Sequence, residues 1–201
     1  MSLIPEFELG LWNAWILSLF MFLFIMGVSP LVIRLLFGSS RSQESSKRHS
    51  ARPKLSDREK KLDYLSTITL LALLGYSVVL PLALGTGWFY AGLFVYVMSI
   101  IFGFMAMINF AQAPLDEPVT KGVYTILRNP MYFSMFLIFV GISLTCASWL
   151  FVLLTMIWMI LADRGVVAEE RLCLETYGDS YREYMNRTPR WIGIPKSGKR
   201  E

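Results

Sequence analysis

Residues 131–162 read MYFSMFLIFVGISLTCASWLFVLLTMIWMILA and contain no charged side chain. A single helix needs about 20 residues to cross the hydrocarbon core of a bilayer. This run is 32 residues long, which is too long for one straight crossing and short for two. We therefore predict a tight helical hairpin that turns near residues 146–148 and returns the chain to the membrane face that it left. The polar residues before and after the run would then meet at one face.

Three further apolar segments are long enough to cross a bilayer, residues 12–37, 62–84 and 88–110. Each holds at most one charged residue, and at about 1.5 Å of rise per residue each covers roughly 30 Å. Spans of this kind are helical, because lipid offers no partner to unpaired backbone groups. The sequence thus predicts an all-α, multi-pass membrane protein. Its five transmembrane helices are three single spans and the hairpin, followed by a C-terminal helical cap.

The basic residues are segregated along the chain. Of the 19 Lys and Arg, none lies in residues 1–33 or 62–120. The positive-inside rule therefore predicts a cytoplasmic location for the 38–61 loop, the segment before the hairpin and the C-terminal tail, with the N-terminus outside. The net charge of +4 reflects these segments rather than nucleic-acid binding, since no soluble basic domain is present.

Two parts follow from this organisation. We expect residues 1–110 to form an N-terminal membrane part of three helices, with a basic loop at 38–61 whose role is topological. We expect residues 111–201 to form a cofactor-binding core that contains the hairpin 131–162. From Arg164 onward, apolar and aromatic residues at three- and four-residue steps predict a helix on the membrane surface. Gly178 is predicted to break this helix and Pro189 to end a second one.

Two polar clusters flank the hairpin and carry both signs of charge. Arginine can hold a carboxylate or phosphate, glutamate can accept from an ammonium or a ribose, and tyrosine offers a flat face and a hydroxyl. Each residue alone is more simply explained as a membrane anchor or a helix start, but together they indicate a binding site. The members are Tyr124, Arg128, Asn129, Tyr132, Arg164, Glu169 and Glu170. A polar ligand from the cytosol and an apolar one from the bilayer would meet there.

The order and spacing of these residues resemble those of the integral-membrane methyltransferases. That family includes isoprenylcysteine carboxyl methyltransferase and the phospholipid N-methyltransferases. The resemblance covers residues 109–195, and five membrane helices in a chain of 201 residues resemble a compact prokaryotic-type member. It is carried by Gly122-Val123-Tyr124, by Arg128-Asn129-Pro130-x-Tyr132, by Glu169-Glu170, and by Tyr177-Gly178-x-x-Tyr181-x-x-Tyr184-x3-Thr188-Pro189-Arg190-Trp191-Ile192.

The resemblance implies S-adenosyl-L-methionine as the cofactor, with no metal. Arg164 is implied to face a substrate carboxylate and, with Glu169, to serve catalysis. The implied partner is a lipid-modified small molecule or protein C-terminus that enters from the bilayer, and we expect a monomer. The implied cofactor-binding residues are Asn109, Asp116, Glu117, Pro118, Val119, Tyr124, Asn129, Pro130, Met131, Tyr132, Glu169 and Glu170.

Asn129 departs from the family, which usually has histidine between the arginine and the proline. Asparagine can donate a hydrogen bond but cannot act as a base. A carboxylate acceptor, with a pKa of about 3.5, is already ionised, whereas an amine must first lose a proton. This favours O-methylation of the C-terminal carboxylate of a prenylated cysteine. The alternatives are N-methylation of phosphatidylethanolamine, an NADPH-binding sterol-reductase-like protein, and a lipid-binding scaffold.

Overall fold

The computed structural model describes residue 7, residues 9–50 and residues 53–192. Within these ranges the chain is helical and forms no strand, which confirms the predicted all-α class. Among the described residues, three helical segments are long and apolar enough to cross a membrane, Trp15–Ser40, Gly87–Gln112 and Trp149–Tyr177. These segments indicate an integral membrane protein. The count of five spans stays a prediction.

The order of the described helices is α1 (Trp15–Leu23), a π-helical turn (Phe24–Val28), α2 (Ser29–Ser50), α3 (Asp57–Val78), α4 (Gly87–Gln112), a 3-10 turn (Gly122–Thr125), α5 (Pro130–Thr145), α6 (Trp149–Tyr177) and α7 (Asp179–Arg187). The longest connection between two of these α-helices is residues 113–129, which join α4 to α5 and contain the 3-10 turn.

Helices α5 and α6 form a hairpin whose arms differ in length. The turn lies at residues 146–148, as predicted, and the Ser148 hydroxyl caps α6 by accepting from the Phe151 amide at 3.3 Å. Helix α5 has 16 residues, whereas α6 has 29 and runs without a break from the apolar stretch through Arg164 to Tyr177. The helix expected after Arg164 is therefore the continuation of the second arm, and it ends at Gly178.

The predicted basic loop at 38–61 is largely helical, which corrects the sequence-based boundary. Helix α2 continues to Ser50 after a non-helical residue at Gly38, whose φ is 83°. Helix α3 begins at Asp57 through a capping box, in which Ser56 and Glu59 bond each other's backbone amides. Such a box satisfies two amides that a helix start leaves open, and this explains why the polar 57–61 segment is helical.

Close contact between α4 and α5 depends on glycine. A Cβ at Gly141 would lie 2.7 Å from the backbone nitrogen of Tyr96, and one at Gly92 would clash with the backbone of Thr145. Small residues at such positions let two helices approach closely in a membrane. This contact fixes α5, and with it the polar residues at its N-terminus.

The π-helical turn has a local cause. Pro30 has no amide hydrogen and so cannot complete the helical hydrogen-bond pattern. The preceding amide, that of Ser29, bonds the carbonyl of Phe24 five residues back. The wider turn that results lies beside the cavity described below.

Candidate active site

The base of the hairpin joins the two polar clusters. Asn129 is the residue before α5, but its side chain does not cap that helix. Its Nδ2 instead donates to Oε1 of Glu170 at 3.2 Å. One turn further along, the Tyr132 hydroxyl donates to Oε1 of Glu169 at 2.8 Å. The two adjacent glutamates of α6 therefore bind two residues at the start of α5.

Glu170 is a buried carboxylate surrounded by positive charge. Only 3% of the residue is exposed. Nη2 and Nε of Arg190 donate to its Oε2 at 2.8 and 3.0 Å. Nε of Arg128 lies 3.2 Å from its Oε1, an ion pair that lacks hydrogen-bond geometry. Because a buried charge is tolerated only when it is paired, Glu170 joins α6 to the start of α5 and to the C-terminal segment.

Asp163 extends this network along α6. Its Oδ1 accepts from Nε1 of Trp191 at 2.9 Å and lies 3.5 Å from Nη1 of Arg190. Burial opposes the charge of Arg190, but the carboxylates of Glu170 and Asp163 outweigh this and raise its pKa above the ordinary value. Arg190 therefore stays charged and holds the C-terminal segment against the hairpin.

Three tyrosines, Tyr124, Tyr181 and Tyr184, pack together and form a second wall of the site. The Tyr184 hydroxyl donates to the carbonyl of Tyr124 at 2.7 Å, and the rings of Tyr181 and Tyr184 lie 5.7 Å apart. Burial raises the pKa of Tyr124, Tyr181 and Tyr184. All three hydroxyls are thus neutral at physiological pH. The hydrogen bond from Tyr184 to Tyr124 also holds α7 against the 3-10 turn that carries Tyr124.

A cavity of about 560 Å³ lies between these walls. One end is polar and includes Arg48, Arg128, Asn129, Glu169 and Glu170. The other end is apolar, and three of its residues come from the π-helical turn; its lining includes Phe24, Ile25, Met26, Ile100, Phe104, Met107 and Ile138. π-helical turns of this kind are frequent at functional sites. One continuous space therefore offers polar and apolar surroundings to a ligand or a pair of ligands.

Most of the residues predicted to bind the cofactor line this cavity. They are Pro118, Val119, Tyr124, Asn129, Pro130, Met131, Tyr132, Glu169 and Glu170. Asn109, Asp116 and Glu117 are not among the lining residues. Asp116 is exposed, and the Glu117 carbonyl accepts a hydrogen bond from Arg48.

Asn109 acts on the backbone beside the cavity. Its Oδ1 accepts from the amide of Val123 at 3.0 Å. The neighbouring Gly122 has a φ of 65°, and a Cβ there would clash with the Asn109 side chain. Asn109 therefore holds the turn that presents Tyr124.

Arg164 lies outside the cavity. The residue is exposed, and it does not contribute to the cavity lining. At 3.6 residues per turn, the five positions between Arg164 and Glu169 separate their side chains by about 140° around the helix. Arg164 and Glu169 therefore point to different sides of α6.

The sequence contains no pattern that assigns several of the cavity residues to the site. Tyr181 and Tyr184 belong to the quoted motif, but their spacing indicates only the aromatic face of a helix on the membrane surface. Arg48 lies in a segment rich in Ser, Lys and Arg, where composition cannot distinguish one basic residue from another. The π-helical turn lies inside an apolar run, which gives no sign of a change in helix type.

Comparison with known proteins supplies the family. A family model described as phospholipid methyltransferase matches residues 78–180. The matched region extends from the end of α3 to the start of α7 and includes α4 and the whole hairpin. No curated protein matches the chain.

Proposed function

The chain belongs to the phospholipid methyltransferase family, and on that premise we propose that it is an S-adenosylmethionine-dependent methyltransferase whose acceptor is embedded in the membrane. The observation that carries the proposal is that one cavity has both a polar and an apolar end. The cofactor would occupy the polar end, and the acceptor's hydrocarbon chain the apolar end. We further propose, from the basic residues alone, that the polar end faces the cytoplasm.

The residues of the polar end suit this cofactor chemically. Bound S-adenosylmethionine supplies a methyl group on a positively charged sulfur. A carboxylate and aromatic faces both attract a cation, and the cavity offers Glu169 together with Tyr124 and Tyr132. Tyr132 fixes the Glu169 carboxylate by its hydrogen bond. Asn129 is held by Glu170, so the first turn of α5 is ordered before any ligand binds.

The C-terminal carboxylate of a prenylated cysteine is the acceptor that we propose first. It needs no base, and the only histidine in the sequence is His49. Its negative charge does require a cation. Arg164 does not line the cavity, whereas Arg48 and Arg128 do. We therefore assign no acceptor contact to Arg164. The enzyme's task would be to orient the carboxylate and exclude water from it.

Phosphatidylethanolamine is the second candidate, and two observations favour it. The matching family model is described by phospholipid methylation. The cavity also contains a carboxylate, Glu169, which could take the proton that an amine must lose before it is methylated.

Labelled S-adenosylmethionine and protein in nanodiscs distinguish the two acceptors. Transfer to farnesylcysteine would give a methyl ester, from which alkali releases labelled methanol. Transfer to phosphatidylethanolamine would give a base-stable N-methyl lipid. Glu169→Gln serves as the matched inactive control. Binding of S-adenosylhomocysteine without transfer to either lipid would reject both acceptors, and binding of NADPH in its place would redirect the assignment to a reductase.

A further inference from the structure

Arg48 reaches the cavity from α2, outside the region that the family model matches. Its guanidinium lies 5.6 Å from the centre of the Phe110 ring. Its Nη atoms donate to three backbone carbonyls, those of Ala113, Pro114 and Glu117. These bonds tie the end of α2 to the segment that follows α4 and hold the guanidinium at the cavity wall.

The charge of Arg48 is not balanced in the way that its neighbours' charges are. Arg128 and Arg190 both pair with Glu170. Arg48 forms no ion pair with a carboxylate in the part of the chain that the structure describes, where all its acceptors are backbone carbonyls. In addition, its Nε is buried and has no hydrogen-bond partner. A buried donor of this kind normally has an acceptor, so a ligand oxygen is the expected partner.

We propose that Arg48 binds an oxyanion, a carboxylate or a phosphate, of a ligand in the cavity. This inference rests on the proposed function. Guanidinium groups bind such anions through charge-assisted hydrogen bonds, and the Arg48 Nε–H is a buried donor that no group of the protein uses in the part of the chain that the structure describes. Two sources supply the same chemistry. One is the amino-acid carboxylate of the cofactor, and the other is the carboxylate or phosphate of the acceptor.

Two substitutions separate anion binding from the contacts that Arg48 makes to the backbone. Arg48→Gln keeps amide hydrogens for the carbonyls but removes the charge, whereas Arg48→Lys keeps the charge and loses the fork of donors. Arg171→Gln is the matched control. Arg171 also donates to a backbone carbonyl, that of Lys54, and pairs with Glu59 away from the cavity. All proteins are studied in nanodiscs of phosphatidylcholine, which has no net charge.

Calorimetry then compares S-adenosylhomocysteine with its analogue that lacks the carboxylate. If the cofactor is the source, Arg48→Gln lowers the affinity for S-adenosylhomocysteine about tenfold and leaves the affinity for the analogue unchanged. Arg48→Lys then loses less affinity for S-adenosylhomocysteine than Arg48→Gln does. If the acceptor is the source, both nucleosides bind Arg48→Gln as they bind the wild type, and the KM for the acceptor rises about tenfold at constant kcat. Arg171→Gln should change neither quantity.

Three results would overturn the proposal. Wild-type affinity and wild-type KM in Arg48→Gln would show that no ligand anion contacts Arg48. An equal loss of both nucleosides in Arg48→Gln and Arg48→Lys would show that Arg48 only holds the backbone in place. Failure of the wild type itself to bind S-adenosylhomocysteine would remove the proposed function, and this inference with it.

Discussion

The hydroxyl of Tyr132 lies 2.8 Å from Oε1 of Glu169 and donates a hydrogen bond to it across the hairpin. The two residues are 37 positions apart in sequence, so the contact exists only because α5 and α6 pack side by side. It fixes the orientation of a carboxylate that lines the cavity. The apolar run between the two residues thus determines the geometry of a polar site.

Tyr132→Phe tests this relationship, because it removes the hydroxyl and keeps the ring. We expect the affinity for S-adenosylhomocysteine to fall about tenfold, the usual scale for a hydrogen bond to a charged group, with little change in the melting temperature. Calorimetric titration measures the first and thermal unfolding the second. Tyr76→Phe is the control, since its hydroxyl bonds Ser148 far from the cavity. Unchanged affinity in Tyr132→Phe would show that the hydrogen bond does not prepare Glu169 for the ligand.

The two adjacent glutamates should respond differently to the same substitution. Glu170→Gln leaves Arg128 and Arg190 without their shared anion, and breaking a buried pair costs about 3 kcal/mol. Glu169→Gln keeps an oxygen that accepts from Tyr132, so it should destabilise the protein less than Glu170→Gln while abolishing ligand binding. Denaturant unfolding and calorimetry on both variants give the comparison. The division of roles is wrong if Glu169→Gln proves the less stable of the two.

Arg164→Ala should leave both cofactor affinity and turnover at the wild-type level. The side chain is exposed and lies outside the cavity. Initial rates at saturating and limiting acceptor provide the measurement. Arg182→Ala is a suitable control, because Arg182 is an exposed arginine on α7. A selective fall in turnover for Arg164→Ala would restore the acceptor contact that the sequence implied.

Acid should weaken the contact between α3 and α6. Hydrogen bonds lower the pKa of Glu59 from 4.5 to about 2. The bond from the Ser56 amide has the largest effect, and those from the Arg171 side chain and the Ser56 hydroxyl add to it. A carboxylate whose pKa is lowered by folding stabilises the folded state at pH values above its unfolded pKa. That stabilisation is lost as the pH falls from about 4.5 towards 2. We expect the melting temperature of the wild type to fall more steeply than that of Glu59→Gln between pH 4.5 and 3. Parallel curves for the two proteins would contradict this assignment.

The sequence predicted the features that depend on how long apolar segments alternate with polar ones along the chain. An uncharged run of fixed length predicts a hairpin, and the hairpin brings Asn129 and Tyr132 to Glu169 and Glu170. Features that depend on the angle around a helix or on local capping are harder to predict from a sequence. Arg164 is close in sequence to Glu169, but helical geometry turns it to another side of α6.

Composition also gave the wrong state for the 38–61 segment. A stretch rich in Ser and Lys is compatible with either a loop or a capped helix. The contacts of Arg48 require the helix, because α2 carries Arg48 to the Glu117 carbonyl. Residues far apart in sequence, such as Arg48 and Glu117, meet only through the packing of α2 on α4. Such a contact has no local signature in the chain.

Gly141 and Gly75 offer the last test, which concerns the packing that positions α5. A Cβ at Gly141 would lie within 3 Å of the Tyr96 backbone, while one at Gly75 meets nothing within 4 Å. Gly141→Ala should therefore destabilise the protein by about 1–3 kcal/mol through overpacking. Gly75→Ala should be neutral or stabilising by up to about 1 kcal/mol, as alanine favours a helix. Because α5 begins directly after Asn129 and carries Tyr132, Gly141→Ala should also weaken ligand binding. Wild-type affinity in a destabilised Gly141→Ala protein would show that the site tolerates a shift of α5.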